Sequence, residues 1–248
     1  MKGAILITGS GRGIGAATAW LAARRGHAVF VNYADREDRA RTVVDEIRAG
    51  GGRAAMARAD VSREDEVAAL FEAVDRELGP LTGLVNNAGI TGPAGRTEDY
   101  DAATIRRILD VNVTGTFLCA QAALRRMSTR HGGGGGSIVN LSSIAAVLGG
   151  AGQWTAYAAA KGAINSLTIG LAKELAPEGI RVNALMPGLI DTEIHEAAGV
   201  GDRLSKAVPS VPAGRIGTAE ECAEAVVWLL SGEAAYMTGA VIPMAGGR

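Results

Sequence analysis

The sequence predicts an α/β fold: a doubly wound, mostly parallel sheet of seven strands with helices on both faces, forming a single domain over residues 1–248. Three observations carry this prediction. Short apolar runs alternate with longer helix-forming stretches along the whole chain, and no boundary interrupts the alternation. Glycine, at 35 residues, is about twice its average usage of roughly 7% and is scattered among apolar segments, as tight strand-to-helix turns require. A hydrophobic fraction of 48% with only 4% aromatics supplies a sizeable core built from Ala, Val, Leu and Ile.

Taken in order, residues 4–8 (A-I-L-I-T) are an apolar run of the kind buried on both faces of a sheet. They lead into Gly9-Ser10-Gly11-Arg12-Gly13-Ile14-Gly15 and a helix over 14–25. Strand, glycine-rich turn and helix together make an anion site, because glycines let the backbone approach and the helix N-terminus presents free N–H groups. Gly11-x-Gly13-x-x-Ala16 fits the general dinucleotide fingerprint in that context. Residues 28–33 form the second strand. In dinucleotide folds an acid at this strand's end binds the ribose 2′-hydroxyl of NAD. Here Asn32 and Tyr33 hold that place, with Asp35 and Arg36 just beyond. Arg12 and Arg36 are either receivers of a 2′-phosphate or solvated surface arginines.

A helix over 36–49 closes at Gly50-Gly51-Gly52, residues 53–58 form the third strand, and Asp60-Val61-Ser62 opens a helix to about Leu78. Ser62, three residues before Asp65, resembles an N-cap followed by acids in the first turn. The fourth strand, 83–87, ends in Asn86-Asn87-Ala88-Gly89. Residues 100–130 read as one long helix containing Asn112. Asparagine is disfavoured in mid-helix, so Asn112 needs a structural or functional reason. A glycine run over 132–136 follows.

The stretch from Ser137 to Lys161 starts as a strand over 138–141, ends in the pair Ser142-Ser143, crosses a glycine-rich loop and enters a helix over 157–176. Tyr157 and Lys161 lie four apart on one helix face, so the ammonium can approach the phenol. A phenol ionises near about 10; a nearby cation lowers that value and suits the group to proton transfer with a substrate hydroxyl or carbonyl. Ser143 can hydrogen-bond the same oxygen. Taken alone, the pair equally describes a packed aromatic beside a snorkelling lysine. The sixth strand is 180–186, broken by Pro187-Gly188. An irregular segment over 189–212 is long enough to be a lid, set at about 188–212. A last helix (219–230) and strand (240–244) complete the alternation.

Net charge is −1 with no long run of either sign, so nothing calls for nucleic acid or an anionic membrane. Cys119 and Cys222 form no metal or redox spacing and read as buried thiols; no metal site is expected. No basic segment precedes an apolar core at the N-terminus. The uncharged stretch 132–160 is too rich in glycine and polar residues to span a membrane. A soluble cytoplasmic protein is expected, and the Asn112-Val113-Thr114 and Asn140-Leu141-Ser142 glycosylation patterns are chance matches.

Together the motifs resemble the short-chain dehydrogenase/reductase family over essentially the whole length. They stand in the family's order: Thr8-Gly9-x-x-x-Gly13-Ile14-Gly15, Asp60-Val61, Asn86-Asn87-Ala88-Gly89, Asn112, Ser143, Tyr157-x-x-x-Lys161 and Pro187-Gly188-x-x-x-Thr192. The resemblance implies a Rossmann-type sheet and assigns roles. Gly9, Gly13 and Gly15 shape the pyrophosphate turn, with Ile14 on the nicotinamide ribose side. Asp60 and Val61 hold the adenine; Asn86, Ala88 and Gly89 line the cofactor. Pro187, Gly188, Ile190 and Thr192 continue the cofactor wall, Thr192 at the carboxamide. Tyr157 is the acid/base, Ser143 steadies the substrate oxygen, Lys161 binds the ribose and lowers the tyrosine pKa, and Asn112 holds a relay water. A homotetramer is implied, with a dimer as runner-up.

Three departures stand out. Thirteen residues separate Ser143 from Tyr157, one more than the family pattern, so the loop must bulge. Tyr33 replaces the strand-end acid of NAD users; with Arg12 and Arg36 nearby this favours NADP, with NAD as runner-up. Met244-Ala245-Gly246-Gly247 lacks the acid of the family's Val-Asp-Gly-Gly. The activity implied is oxidoreduction of a ketone or secondary alcohol. A 3-oxoacyl-carrier-protein reductase, a sugar dehydrogenase and a non-catalytic nucleotide-binding protein are the alternatives. For a carrier protein, Arg125, Arg126 and Arg130 are candidate docking cations, or they only complement a helix C-terminus.

Overall fold

The computed structural model describes residues 3–192 and 208–248. Its strands are β1 (Ala4–Ile7), β2 (Ala28–Tyr33), β3 (Ala54–Arg58), β4 (Leu81–Asn86), β5 (Gly136–Leu141), β6 (Ile180–Pro187) and β7 (Val241–Met244). They form one seven-stranded sheet in the order β3-β2-β1-β4-β5-β6-β7, and every pairing is parallel. The helices are α1 (Gly13–Arg24), α2 (Glu37–Ala49), α3 (Glu64–Leu78), α4 (Ala102–Leu109), α5 (Gly115–Met127), α6 (Ala145–Leu148), α7 (Thr155–Leu175) and α8 (Ala219–Leu230).

Strand side chains alternate between two buried layers, as the two-residue period of a strand dictates. Ile5, Ile7, Val29, Val31, Val85 and Val139 pack with α1, α2 and α8. Leu6, Phe30, Leu84, Ile138 and Val182 pack with α3, α5 and α7. Cys119 and Cys222 sit in these two layers, and burial pushes both thiols up to about 12, which makes them inert core residues. The strand order reverses between β1 and β4. In such sheets the crevice at the carboxyl ends beside that reversal is where ligands bind.

Several elements depart from the sequence expectation. Residues 100–130 are not one helix: α4 and α5 are separated by a π-helical turn, Asp110–Thr114, that contains Asn112, and a 3₁₀ turn follows at Thr129–His131. Asp101 caps α4, accepting from Thr104 N at 2.7 Å. Ser62 does not cap α3. Its N–H and hydroxyl donate to Asp60 Oδ1 at 3.0 and 2.7 Å, so a local side-chain turn takes precedence over the cap, and Arg63 stands at the cap position instead. The loop after Ser143 contains the one-turn α6, and α7 begins two residues before Tyr157. Of the lid expected at 188–212, residues 193–207 lie outside the described residues.

Candidate active site

At the carboxyl ends of β1 and β4 the glycine-rich loop meets the segment Asn86–Gly89. Gly9 has φ +60°, and a Cβ there would stand 2.9 Å from Ala88 Cα, so the contact demands glycine. A Cβ on Gly13 would lie 3.3 Å from Thr192 Cγ2, which places Thr192 over the turn. Asn87 Nδ2 donates to the carbonyls of Thr8 (2.8 Å) and Gly9 (2.9 Å), and Thr8 Oγ1 accepts from the amides of Asn87 and Ala88, both at 3.0 Å. Asn32 is buried at the end of β2. Its Oδ1 accepts from Gly9 N at 3.1 Å and its Nδ2 donates to Ala59 O at 3.0 Å. Thr8, Asn32 and Asn87 thus brace the turn, a role the sequence reading did not assign them. A buried amide at a strand end was the available signal.

Beyond β2, Tyr33 is partly buried, and burial, with Glu37 close by, raises its phenol above the ordinary value. Arg36 is exposed and grips Asp38 through two bonds of 3.0 and 2.7 Å, which hold that carboxyl down at about 2. Arg12 is exposed at the N-cap position of α1. Asp60 follows β3. Burial works to raise its carboxyl, but bonds from Ser62 and from Arg107 at 2.9 Å prevail and hold it below the ordinary value. Val61 is buried against Gly115, where a Cβ would come within 2.7 Å of Val61 Cγ2.

The candidate catalytic groups converge between β5, α7 and the π-helical turn. Tyr157, in the first turn of α7, lies close enough to the Ser143 side chain for hydrogen bonding to act on its phenol, and Ser143 Oγ also accepts from Ala145 N at 3.1 Å. Lys161, one turn further on, is only 4% exposed; its Nζ donates to Leu141 O at 2.6 Å and lies 5.6 Å from the centroid of the Tyr157 ring. Ser142 Oγ donates to Lys161 O at 3.0 Å and pins the helix to the strand end. Asn112 is fully buried. Its Nδ2 donates to Ile90 O and Ile108 O, both at 2.8 Å, while its Oδ1 has no hydrogen-bond partner among the described residues. A Cβ on Gly89 would lie 2.7 Å from that Oδ1 and 3.4 Å from Lys161 Nζ, so the amide oxygen and the ammonium flank the same glycine. Leaving a buried acceptor unpaired costs about 1–3 kcal/mol; an acceptor kept at that cost beside Lys161 fits a bound polar group.

Electrostatics correct one expectation. The chain's own groups do not depress the Tyr157 phenol: burial raises it, and the Ser143 bond opposes that only in part. Burial also lowers Lys161, to about 8. Desolvation acts on both charged forms and outweighs the attraction expected from the four-residue spacing.

Ile144 N donates to Pro187 O at 2.9 Å, which sets the Pro187-Gly188 turn beside Ser143. Gly188 closes on Ala245, whose Cα would be 2.7 Å from an added Cβ, and Ile190 is buried. Asn86 Nδ2 donates to Asn140 Oδ1, and Asn140 Nδ2 to Thr168 Oγ1, both at 2.9 Å. This buried chain ties β4, β5 and α7 together behind the site. Among the described residues no helix is long and apolar enough to cross a membrane, and no group of three or more His, Cys, Asp or Glu is placed to hold a metal.

The family profile described as enoyl-(acyl carrier protein) reductase matches residues 9–248. The chain is a short-chain dehydrogenase/reductase. The family likeness extends to relatives of nearly equal length. An uncharacterized oxidoreductase, YgfF, of Escherichia coli (strain K12) is 48% identical over 243 residues, covering 98% of each chain. The cis-4-hydroxycyclohexanecarboxylate dehydrogenase of Sinomonas cyclohexanicum is 41% identical over 242 residues, 98% of this chain and 94% of its own. A crystal structure of a short-chain type dehydrogenase/reductase from Mycobacterium marinum superposes with a TM-score of 0.92 at 38% identity, covering 99% of this chain and 94% of that one. As a member of this family the chain is an oxidoreductase, and the family in general uses NAD or NADP.

Proposed function

We propose that this short-chain dehydrogenase/reductase is an NADP-dependent oxidoreductase acting on a ketone or the corresponding secondary alcohol, with Tyr157 as acid/base. The observation that carries the reading is the approach of Asn112 Oδ1 and Lys161 Nζ to the same glycine, Gly89, with Tyr157 beside Lys161 and Ser143 beside Tyr157. A non-catalytic nucleotide binder has no need of that set. The cradle fits a dinucleotide, because it is kept free of side chains: at Gly9 and Gly15 one would collide with Ala88 and Asn87, and Gly13 has φ +54°. Ile14, Asp60, Val61, Asn86, Ala88, Gly89, Pro187, Gly188, Ile190 and Thr192 would line the rest of its path. The dinucleotide supplies or accepts the hydride.

Everything else falls to the chain. Ser143 and Tyr157 donate hydrogen bonds to the carbonyl oxygen and polarise it, and Tyr157 delivers the proton as the alkoxide forms. Lys161 holds positive charge beside the phenol while the proton leaves, which stabilises the phenolate at that moment. Asn112 Oδ1 accepts the next hydrogen bond of a relay that returns a proton to Lys161. Preference for NADP is supported by Tyr33 in the acid's place and by Arg12 and Arg36 near it. A cytoplasmic homotetramer is the assembly we infer, a dimer being second. Phe117 on α5 and Ile169 on α7 are exposed at 44% and 43%, and such apolar faces suit helix packing between subunits.

The test follows absorbance of the reduced nicotinamide with a panel of ketones, using each cofactor in turn. Turnover with NADPH at lower KM than with NADH is expected. Absence of turnover on every ketone, with tight nucleotide binding, overturns the enzymatic reading; equal or better NADH affinity overturns the cofactor choice.

A further inference from the structure

The helix that carries Tyr157 starts without a side-chain cap. Trp154 stands at its N-cap position with no side-chain bond to the first turn. The chain reaches it through Gly149, Gly150 and Gly152, all with positive φ, at 79°, 61° and 71°. Locally the turn is tied only to the bulge itself, where Gly150 O accepts from Gln153 N at 3.1 Å and from Trp154 N at 2.9 Å, and such glycines leave that bulge wide backbone freedom.

The constraint comes from across the mouth of the site. The Tyr100 hydroxyl donates to Gln153 O at 2.6 Å and lies 3.1 Å from Pro93 O; it has one proton, and the shorter contact takes it. Gly95 N donates to the same Gln153 carbonyl at 2.9 Å. Thr97 Oγ1 and Thr155 Oγ1 lie 2.9 Å apart. Residues 153 and 155 are therefore held on both sides of the buried Trp154, just ahead of Tyr157. Tyr100 is itself set by rigid neighbours: Asp99 Oδ2 accepts from Arg96 N at 2.9 Å, and Asp101 caps α4.

We propose that Tyr100 is a positioning residue: it fastens the turn after β4 to the carbonyl of Gln153 and so holds the start of α7 where Tyr157 meets Ser143. The proposal rests on the oxidoreductase reading of that site. It also explains how a loop with one residue more than the family pattern still delivers its tyrosine. The surplus is taken up in the glycine bulge, and the far end of the bulge is tied down from outside. Tyr100 is suited to the task because burial, with Asp99 nearby, raises its phenol above the ordinary value, so it stays a donor at neutral pH.

The test compares wild type, Tyr100→Phe, Thr97→Val and Tyr157→Phe on the best ketone found. For Tyr100→Phe, kcat/KM should fall on the order of tenfold, the scale of one lost hydrogen bond. The pH profile of kcat/KM should move, because the Ser143–Tyr157 bond is loosened. Cofactor affinity by fluorescence titration should stay at the wild-type value, and the melting temperature should fall by no more than about 2–4 °C. Thr97→Val should give a smaller fall in the same direction, and it decides the matter if Tyr100→Phe does not fold. Wild-type kcat/KM and pH profile in both variants overturn the proposal. So does a loss of activity that only tracks weakened cofactor binding or melting. Tyr157→Phe keeps the two claims apart: if it retains full turnover the reaction reading has failed, whereas an inactive Tyr157→Phe beside an unaltered Tyr100→Phe sinks the positioning role alone.

Discussion

Lys161→Met should make the protein more stable while abolishing its turnover. The native ammonium is 4% exposed, and burial brings its pKa from 10.5 to about 8. Each pKa unit is worth about 1.4 kcal/mol, so holding this lysine charged in the fold costs roughly 3 kcal/mol at neutral pH. Methionine has similar length and no charge. It forfeits the bond from Nζ to Leu141 O, worth about 1–2 kcal/mol. The net expectation is a gain of about 1–2 kcal/mol at pH 7 from these two opposing terms. The pH dependence makes the sharper test. Because the folded pKa lies below the unfolded one, the penalty is fully present below about 8, is relieved as pH rises toward 10.5, and is absent above that. The advantage of the variant should therefore shrink by roughly 2–3 kcal/mol between pH 7 and pH 10. Urea denaturation of both proteins at matched protomer concentration across that range reads it directly. Parallel stability curves would refute the claim that Lys161 is held charged at a cost.

Tyr157→Phe keeps the ring and should keep fold and cofactor binding, while turnover falls by about 10²-fold or more, as loss of a positioned acid/base predicts; steady-state kinetics beside a binding titration check this. Asp38→Asn should release Arg36 from its exposed pair and tighten NADP(H) by a few-fold, about the worth of one surface ion pair, with NAD(H) unchanged. Tyr33→Asp should move the preference toward NAD(H), because a carboxylate repels a 2′-phosphate; both are read by titrating the two cofactors. Asn112→Ala loses the bonds to the carbonyls of Ile90 and Ile108 but also removes the unpaired Oδ1, two opposing effects of about 1–3 kcal/mol each, so urea unfolding should change by no more than about 1–2 kcal/mol while turnover slows.

The strands and the glycine turn were legible because burial on both faces and tight strand-to-helix turns leave local marks, in Ala4–Ile7 and Gly9–Gly15 alike. The pairing of Tyr157 with Lys161 was legible too, because the two are four apart on one helix. Interruption of the helix at Asp110–Thr114 was not, since apolar residues continue through it and only Asn112 marks it as irregular. The Ser62 cap failed because the N–H and hydroxyl of Ser62 itself donate to Asp60, two residues back. The direction of the Tyr157 shift depends on how deeply the fold buries the pair, which spacing does not report. Tyr100 was invisible for a simpler reason: its acceptor is 53 residues away in sequence.

The π-helical turn has a second effect, on orientation. A regular helix advances about 100° per residue, from 3.6 residues per turn, so one surplus residue rotates everything after it by about that angle. Downstream of the turn, Cys119, Ala123 and Met127 point into the core and Phe117 points out. Deleting one residue to restore an uninterrupted helix would swing Cys119 and Ala123 off the sheet and carry their neighbours inward. The five residues that aim the Asn112 amide therefore also choose which flank of α5 the molecule shows to its surroundings, so the placement of that amide and any subunit contact made by that helix cannot be altered independently.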